Sequence, residues 1–246
     1  MLSHDHDGSD SAHPLFAFPG TSELSMNKRQ NPRISSRKQP QQSRSTELVA
    51  AILQAAIQVL TQQGAKRFTT ARVAEKAGVS IGSLYQYFPN KAAILFRLQS
   101  DEWLQTRQML SRILDDPAQP PLARLRSLVH AFIRSECEEA PLRSALNEAA
   151  PLYRDAPEAG AARAAGRQIF TGFMLQLLPD ASEATRAAAC ELILCTLSSV
   201  GKDFSSKPHA KSAMAERADG LADMFSAYVL ALAQPRPASA RTLVHS

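Results

Sequence analysis

Residues 68–91 read FTTARVAEKAGVSIGSLYQYFPNK, and this stretch predicts two short helices joined by a tight glycine turn. Thr69 or Thr70 can cap the first helix, and Gly78 can adopt the left-handed conformation that ends it. Ser80 can cap a second helix directly after the turn. Two helices in this order form a helix-turn-helix, whose second helix can enter the major groove of DNA.

The second helix would present a polar, uncharged surface to solvent. Val79 and Leu84 would pack it against the first helix, and Ala74 is small where the two backbones approach. The remaining side has no carboxylate to repel phosphates and consists of Ile81, Gly82, Ser83, Tyr85, Gln86 and Tyr87. These residues are candidates for DNA contact, although Tyr85 could instead pack in the core and Ser80 could act only as a cap.

One helix is predicted before this motif and a longer one after it. Between Thr46 and Gln63, apolar residues recur at helical spacing on one face, and Gly64 can end that helix. Phe68 would fill the space between this helix and the two of the motif. Asn90 can then cap a long helix that runs to about Leu114.

Further helices are expected up to residue 233, and no strand pattern competes with them. Their predicted bounds are about 122–138, 141–153, 158–178, 182–202 and 207–233. The predicted fold is therefore all-α. A small three-helix DNA-binding domain (residues 44–90) is joined by a long helix to a larger helical domain (residues 91–234).

The two ends of the chain are predicted to be disordered. Residues 1–43 are rich in polar residues, and their second half has a run of basic residues without acidic ones, namely Lys28, Arg29, Arg33, Arg37, Lys38 and, just beyond, Arg44. This run is either a solvated tail or an arm that touches DNA phosphates. Residues 235–246 are expected to form a flexible tail.

Composition favours a globular protein with an anionic partner. Of 246 residues, 44% are hydrophobic, and 28 Lys and Arg against 23 Asp and Glu give a formal charge of +5. Three cysteines lack metal-binding or disulfide-framework spacing, so we expect no metal site, although redox sensing through them stays open. We identify no membrane-spanning run and no export signal, and therefore expect a cytoplasmic protein.

The sequence has no complete catalytic signature. It contains no HExxH, GxGxxG or P-loop pattern. The stretch GVSIG (residues 78–82) matches GxSxG in letters, but the serines lack a plausible histidine and carboxylate partner set. We therefore expect neither an enzyme nor a cofactor, with an all-helical enzyme carrying a DNA-binding module as the weakest alternative.

The motif and its continuation LYQYFPNKAAIL (residues 84–95) resemble the tetracycline-repressor (TetR) family over residues 46–96. The resemblance implies that Thr69, Thr70 and Lys91 bind backbone phosphates. It implies that the second helix, with Ile81, Ser83, Tyr85, Gln86 and Tyr87, binds bases and flanking phosphates. Gly82 could allow close approach of the backbone to DNA, and Gln86 is the best candidate for a bidentate contact with adenine.

The same resemblance implies a homodimer on a palindromic operator, built from helices 182–202 and 207–233. It also implies a small effector, apolar or aromatic, in a pocket between the long helix and its neighbours. The pocket candidates are Trp103, Met109, Phe132, Tyr153, Phe170, Phe173 and Met174, although for each residue taken alone core packing is the more common role. Arg134, Arg143, Arg154, Arg163 and Arg167 leave a carboxylate-bearing ligand open.

The predicted function is accordingly a dimeric transcriptional repressor that a small effector releases from DNA. The main alternative is a protein of the same fold that binds or organises DNA without a ligand. An effector-sized cavity in the helical domain would argue against that alternative.

Overall fold

The computed structural model describes residue 34 and residues 43–234, without the side chains of residues 43, 44, 162 and 163. Over this range the chain is helical and has no strand. The helices are α1 (Ser43–Arg67), α2 (Thr70–Ala77), α3 (Ile81–Tyr87), α4 (Lys91–Leu114), α5 (Pro121–Glu138), α6 (Ala140–Ala149), α7 (Pro157–Leu177), α8 (Glu183–Ser205) and α9 (Lys211–Ala233). The predicted all-α fold is confirmed.

The predicted end segments lie largely outside the described residues. This applies to the tail 235–246 and to the extension 1–43 except for Ile34 and the backbone of Ser43. Ile34 is 4% exposed and packs in the core formed by the first helices. At this one position, the extension contributes to the core, which differs from the expectation for a disordered segment.

Glycine and capping residues set the helix ends around the motif. Gly64 interrupts α1 with φ 75°, and Gly78 ends α2 with φ 67°; both values are unfavourable for other residues. The Thr69 hydroxyl accepts a hydrogen bond from the Arg72 backbone N–H. Asn90 Oδ1 accepts one from the Ala93 N–H at 2.9 Å. The caps at Thr69 and Asn90 and the end at Gly78 agree with the sequence-based prediction. The first helix was expected over Thr46–Gln63, but α1 begins at Ser43 and continues after a kink at Gly64 to Arg67.

Two predicted helix bounds need correction. The helix expected over 141–153 ends at Ala149 and is followed by a 3-10 turn, Ala150–Leu152, which contains a proline. The last helix begins at Lys211 rather than near Lys207. Pro208 explains the later start, because a residue that precedes proline is disfavoured in the helical conformation.

The buried apolar residues form two clusters. The first cluster joins α1, α2, α3 and the start of α4 around residues such as Ile52, Phe68 and Leu84. The second joins the rest of α4 with α5, α7, α8 and α9 around residues such as Phe132 and Phe170. α4 therefore runs from one core into the other, as predicted for the long connecting helix.

Helix α6 also belongs to the first cluster. Leu146, Ala149 and, just beyond the helix, Tyr153 pack with the α1 residues in that core. The Tyr153 hydroxyl lies 3.1 Å from Gln99 Oε1 on α4. Burial raises the pKa of Tyr153. The DNA-binding core is thus closed on one side by a helix from the larger half of the chain.

Helix α1 is long and apolar enough to cross a membrane, contrary to the expectation that the sequence contains no such run. It also has a structural role, because Ile52, Ala56 and Leu60 are fully buried against the other helices. An apolar core helix passes the same length and composition test as a membrane span. The burial of these residues favours the role of a core helix.

Candidate nucleic-acid interface

The exposed face of α3 is small and mostly uncharged. Leu84 is fully buried and holds the helix, whereas Ile81 is 42% and Tyr85 40% exposed. Gly82 and Gln86 are exposed as well. Tyr85 is therefore a surface residue rather than a core residue, and the Gln86 amide has both the donor and the acceptor that an adenine edge requires.

A hydrogen bond joins the two helices of the motif at this surface. The Tyr85 hydroxyl lies 3.1 Å from Thr70 Oγ1. Thr69 caps α2 immediately before Thr70, so both threonines lie at the start of that helix. The N–H groups at a helix start favour an anion. This corner of the motif is thus suited to a phosphate.

Two serines at the start of α3 bond to each other. Ser80 Oγ accepts a hydrogen bond from the Ser83 N–H at 3.0 Å and lies 2.8 Å from Ser83 Oγ. The cap expected at Ser80 is confirmed. A base contact through the Ser83 hydroxyl would compete with its bond to the Ser80 hydroxyl, whereas the cap uses the Ser83 N–H and would remain.

The placement of Tyr87 on the outer face of α3 is wrong. Its side chain is 8% exposed and packs in the first core. Tyr87 lies three residues after Leu84, and residues at this spacing share one face of a helix. Only a small part of Tyr87 remains accessible, so a phosphate contact through it stays a prediction.

Lys91 is exposed at the first position of α4. The Asn90 side chain caps this helix. The other free N–H groups at its start lie at the positive end of the helix dipole. An amine at this place can share a phosphate with those groups. The position fits the phosphate contact expected of Lys91.

Arg72 was missed by sequence reasoning. Its Nη1 donates to Gln63 Oε1 and to the Arg67 carbonyl, both at 2.9 Å. It thereby ties the end of α1 to the start of α2, where Thr69 and Thr70 lie. A signal was present in the sequence, because Lys66, Arg67, Arg72 and Lys76 cluster around this corner.

The predicted effector residues are packed rather than arranged around one space. Trp103, Phe132, Phe170, Phe173 and Met174 are at most 3% exposed and belong to the second core. Tyr153 belongs to the first core instead. Met109 is partly buried and lines a surface cleft of about 420 Å³ between α4, α5 and α6.

That cleft leads to a buried ion cluster, which we call the Arg143 cluster: Arg143, Glu102, Glu136 and Glu139. Arg143 Nε donates to Glu102 Oε1 at 2.7 Å, and Nη1 donates to Glu136 Oε1. Nη2 lies 2.8 Å from Glu139 Oε2. A role for Arg143 in binding a carboxylate-bearing ligand is unsupported, because these glutamates already bind its guanidinium.

The two helices expected to form the dimer carry several exposed apolar side chains. Leu192 on α8 and Met224 and Leu230 on α9 are 47 to 51% exposed. Cys195 is exposed on α8 as well. Leu197 on α8 and Phe225 and Val229 on α9 are at most 2% exposed and pack within the subunit.

Comparison with protein families gives two matches. Residues 52–98 match the family described as "Bacterial regulatory proteins, tetR family". Residues 120–232 match the one described as "Tetracyclin repressor-like, C-terminal domain". The first match covers α2 and α3, and the second covers almost all of the helices from α5 to α9.

Two curated relatives show the sequence similarity. The nucleoid occlusion factor SlmA of Vibrio campbellii is 40% identical over 94 residues, which cover 37% of this chain and 46% of the relative. The HTH-type transcriptional repressor KstR of Rhodococcus jostii is 29% identical over 108 residues, covering 44% and 49%. The chain thus spans about half the length of the curated relatives it matches.

Solved structures share the fold. A TetR-family regulator from Mesorhizobium loti has a TM-score of 0.59 at 17% identity, covering 76% of this chain and 98% of its own. The fatty acid degradation regulator FadR from Bacillus halodurans has a TM-score of 0.57 at 15% identity, covering 76% and 97%. A complex of SmeT with triclosan has a TM-score of 0.53 at 23% identity, covering 74% and 91%.

Proposed function

This chain belongs to the TetR family of bacterial regulatory proteins, and from that premise we propose that it is a homodimeric repressor that binds a palindromic operator and leaves it when a small molecule binds. The carrying observation is the exposed face of α3, with Ile81, Gly82, Tyr85 and Gln86 outward above a buried Leu84. Family regulators of this kind act in the cytoplasm, where we place this chain too. We propose no catalytic role.

The roles of the individual residues follow from their positions. Gln86 would read a base edge and Ile81 would contact a thymine methyl group. Thr69, Thr70 and Lys91 would bind phosphates at the starts of α2 and α4. Two copies of α3, related by the two-fold axis of a dimer, would meet two half-sites about one helical turn apart.

The dimer would form through α8 and α9. Leu192, Met224 and Leu230 expose apolar area that a partner subunit can cover. Apolar side chains at a two-fold axis meet their own copies, so one exposed patch supplies both sides of the interface. Effector release then requires a ligand with different affinities for the DNA-bound and free conformations.

A second function is favoured by the similarity to a nucleoid occlusion factor and by the dense packing of the second core. In that case, the chain would bind DNA at many chromosomal sites without an effector. The two functions share the DNA interface and differ in the number of sites occupied. Chromatin immunoprecipitation separates them, because a local repressor occupies few sites.

Mobility shifts with the DNA that flanks the gene test the main proposal. We expect a complex at about 150 mM salt, a concentration at which weak phosphate-only binding is strongly reduced. Native mass spectrometry should find an even number of chains on the DNA. A scrambled duplex of the same composition serves as the control, and equal binding to both duplexes would refute sequence-specific regulation.

A further inference from the structure

A cleft of about 630 Å³ lies between α1 and α2, and we call it the α1–α2 cleft. It is lined by three cationic residues, one carboxylate and three uncharged residues, namely Arg67, Arg72, Lys76, Glu75, Val59, Gln62 and Gln63. Glu148 Oε2 lies near Gly64 of α1, and Lys66 lies beside Arg67, but neither residue lines the cleft. Positive charge therefore exceeds negative charge at this surface.

Two of these cations are available to an anion. Arg67 and Lys76 are exposed, and within the described part of the chain neither side chain forms an ion pair or a hydrogen bond. The third, Arg72, uses Nη1 to donate to Gln63 Oε1 and to the Arg67 carbonyl, both at 2.9 Å. A guanidinium has five N–H donors, so those on Nε and Nη2 are left for a ligand.

The cleft continues the predicted phosphate site at the start of α2. Thr69, Arg72 and Lys76 are spaced by three and then four residues, so they lie on one face of that helix. The Arg72 backbone N–H also donates to the Thr69 hydroxyl at 3.3 Å. At about 1.5 Å per residue, this face extends about 10 Å from Thr69 to Lys76. The phosphates of one DNA strand are about 3.4 Å apart along the duplex axis, so the face is long enough to meet more than one of them.

Helix α3 packs on a different side of α2. Thr70 Oγ1 lies 3.1 Å from the Tyr85 hydroxyl of α3, whereas Arg72 bonds to α1. Residues two positions apart point about 200° apart around a helix, so Thr70 and Arg72 face opposite sides. In a helix-turn-helix, the second helix enters the major groove and the first crosses the DNA backbone. The side of α2 that faces the cleft therefore lies toward the phosphates next to that groove.

We propose that the α1–α2 cleft binds DNA phosphates outside the half-site read by α3, with Arg67 and Lys76 as the contacting residues. Such contacts carry no sequence information, but they add affinity and lengthen the footprint of each subunit. Glu75 lines the same cleft and would repel a phosphate, so its charge limits the affinity. The inference rests on DNA binding through α3, as proposed above, and adds a second surface to it.

Fluorescence anisotropy with the full-length protein tests the inference on a long duplex that extends about ten base pairs, one helical turn, beyond each half-site. Arg67→Gln and Lys76→Gln should each bind this duplex several-fold more weakly and release about one counterion fewer, measured from the salt dependence. Glu75→Gln should bind it more tightly. Lys207→Gln and Glu183→Gln remove exposed charges outside the DNA-binding helices and should bind like wild type.

A short duplex that ends at the outer edge of each half-site separates flanking contacts from contacts within the half-site. Wild type should bind it more weakly than the long duplex, and Arg67→Gln and Lys76→Gln should bind it as wild type does. Unchanged counterion release in both variants, or an equal loss of affinity on the two duplexes, would overturn the inference. Circular dichroism melting checks that each variant is folded.

A long random duplex keeps this test independent of the regulator function. Phosphates are the same in every sequence, so Arg67→Gln and Lys76→Gln should also release fewer counterions on random DNA. Wild type that binds operator and random duplexes alike would refute sequence-specific regulation, whereas the variants would still decide the inference. Specific binding of the operator with unchanged variants would refute only the role of the cleft.

Discussion

Removal of Arg143 should destabilise this fold strongly. Arg143→Ala would leave Glu102 and Glu136 buried without the guanidinium that binds them. We expect a loss of about 3–5 kcal/mol in the free energy of unfolding, because removing one partner of a buried ion pair leaves an uncompensated charge in the interior. Urea denaturation measures this loss.

Arg97→Ala is the matched control. Arg97 pairs with Asp101 one helical turn away, and both side chains are more than a third exposed. Exposed pairs at this spacing contribute less than about 1 kcal/mol. Equal losses in the two variants would mean that the Arg143 cluster is not a buried network in solution.

Glu139 should make stability depend on pH. Burial raises its pKa, Arg143 lowers it, and the neighbouring Glu102, Glu136 and Glu138 raise it, with a net increase above the usual 4.5. A raised carboxyl pKa favours folding below the unfolded pKa, and this contribution is lost as pH rises through the folded pKa. From about pH 4 to pH 7, wild type should therefore lose stability relative to Glu139→Gln.

Thermal unfolding of both proteins across that range provides the measurement. A difference in Tm that stays constant with pH would show that Glu139 titrates normally and would contradict the prediction.

Gln86 and Lys91 should differ in what their loss does to DNA binding. Gln86→Ala should relax the preference for one base by about 1–3 kcal/mol, because the amide bonds to a base edge. Lys91→Ala should weaken binding to all DNA sequences about equally. It should also lower the number of counterions released on binding, measured from the salt dependence, by about one. Binding to a library of operator variants at two salt concentrations measures both effects, and matching specificity profiles would contradict this division.

Gly201 marks a close contact between α8 and α5, and of the described glycines it is the one where an added Cβ would come nearest to other atoms. A Cβ atom at Gly201 would lie 2.9 Å from Phe132 Cε1 and 3.1 Å from Glu136 Cγ. We expect Gly201→Ala to lower the free energy of unfolding by about 1–3 kcal/mol, because a packed core accepts extra carbon only by moving its neighbours. Chemical denaturation tests the sign of the change.

Gly172→Ala in α7 is the control for the gain in helix propensity. A Cβ atom there would meet nothing within 4 Å. Alanine should stabilise the helix by about 0.5–1 kcal/mol relative to glycine. If Gly201→Ala stabilised the protein by the same amount, the close contact between α5 and α8 would be disproved.

Helix ends in this chain could be predicted because short-range chemistry determines them. Gly78 and Ser80 act within a few residues, and the structure confirms both as predicted. Tyr87 and Tyr153 were misplaced because their burial depends on packing across elements distant in sequence. Tyr153, for instance, joins the DNA-binding core through α6, about 100 residues after α1 begins.

The Arg143 cluster shows the same limit for the candidate ligand site. Glu102, Glu136 and Arg143 come from three helices, and their sequence spacing alone predicts no contact. The sequence showed an arginine-rich half, which left an acidic ligand open. Packing reverses this expectation, because the carboxylates of Glu102 on α4, Glu136 on α5 and Glu139 between α5 and α6 converge on that arginine.

At the scale of the whole molecule, the three cysteines can report on subunit association. Burial raises the pKa of Cys190, and burial with Glu136 and Glu138 nearby raises that of Cys137. Both thiols should react slowly, because the thiolate is the nucleophile. Cys195 is exposed beside Leu192 on the face proposed for the dimer, so it should react first in a monomer.

We therefore expect iodoacetamide to alkylate Cys195 rapidly in dilute protein and slowly once the concentration exceeds the dimer dissociation constant. Mass spectrometry of peptides after timed labelling measures the rate at each cysteine. Leu192→Glu should restore fast labelling at high concentration, because two glutamates would repel each other across the two-fold axis. Fast labelling of Cys195 at every concentration, in a protein that sediments as a dimer, would place the interface on another face.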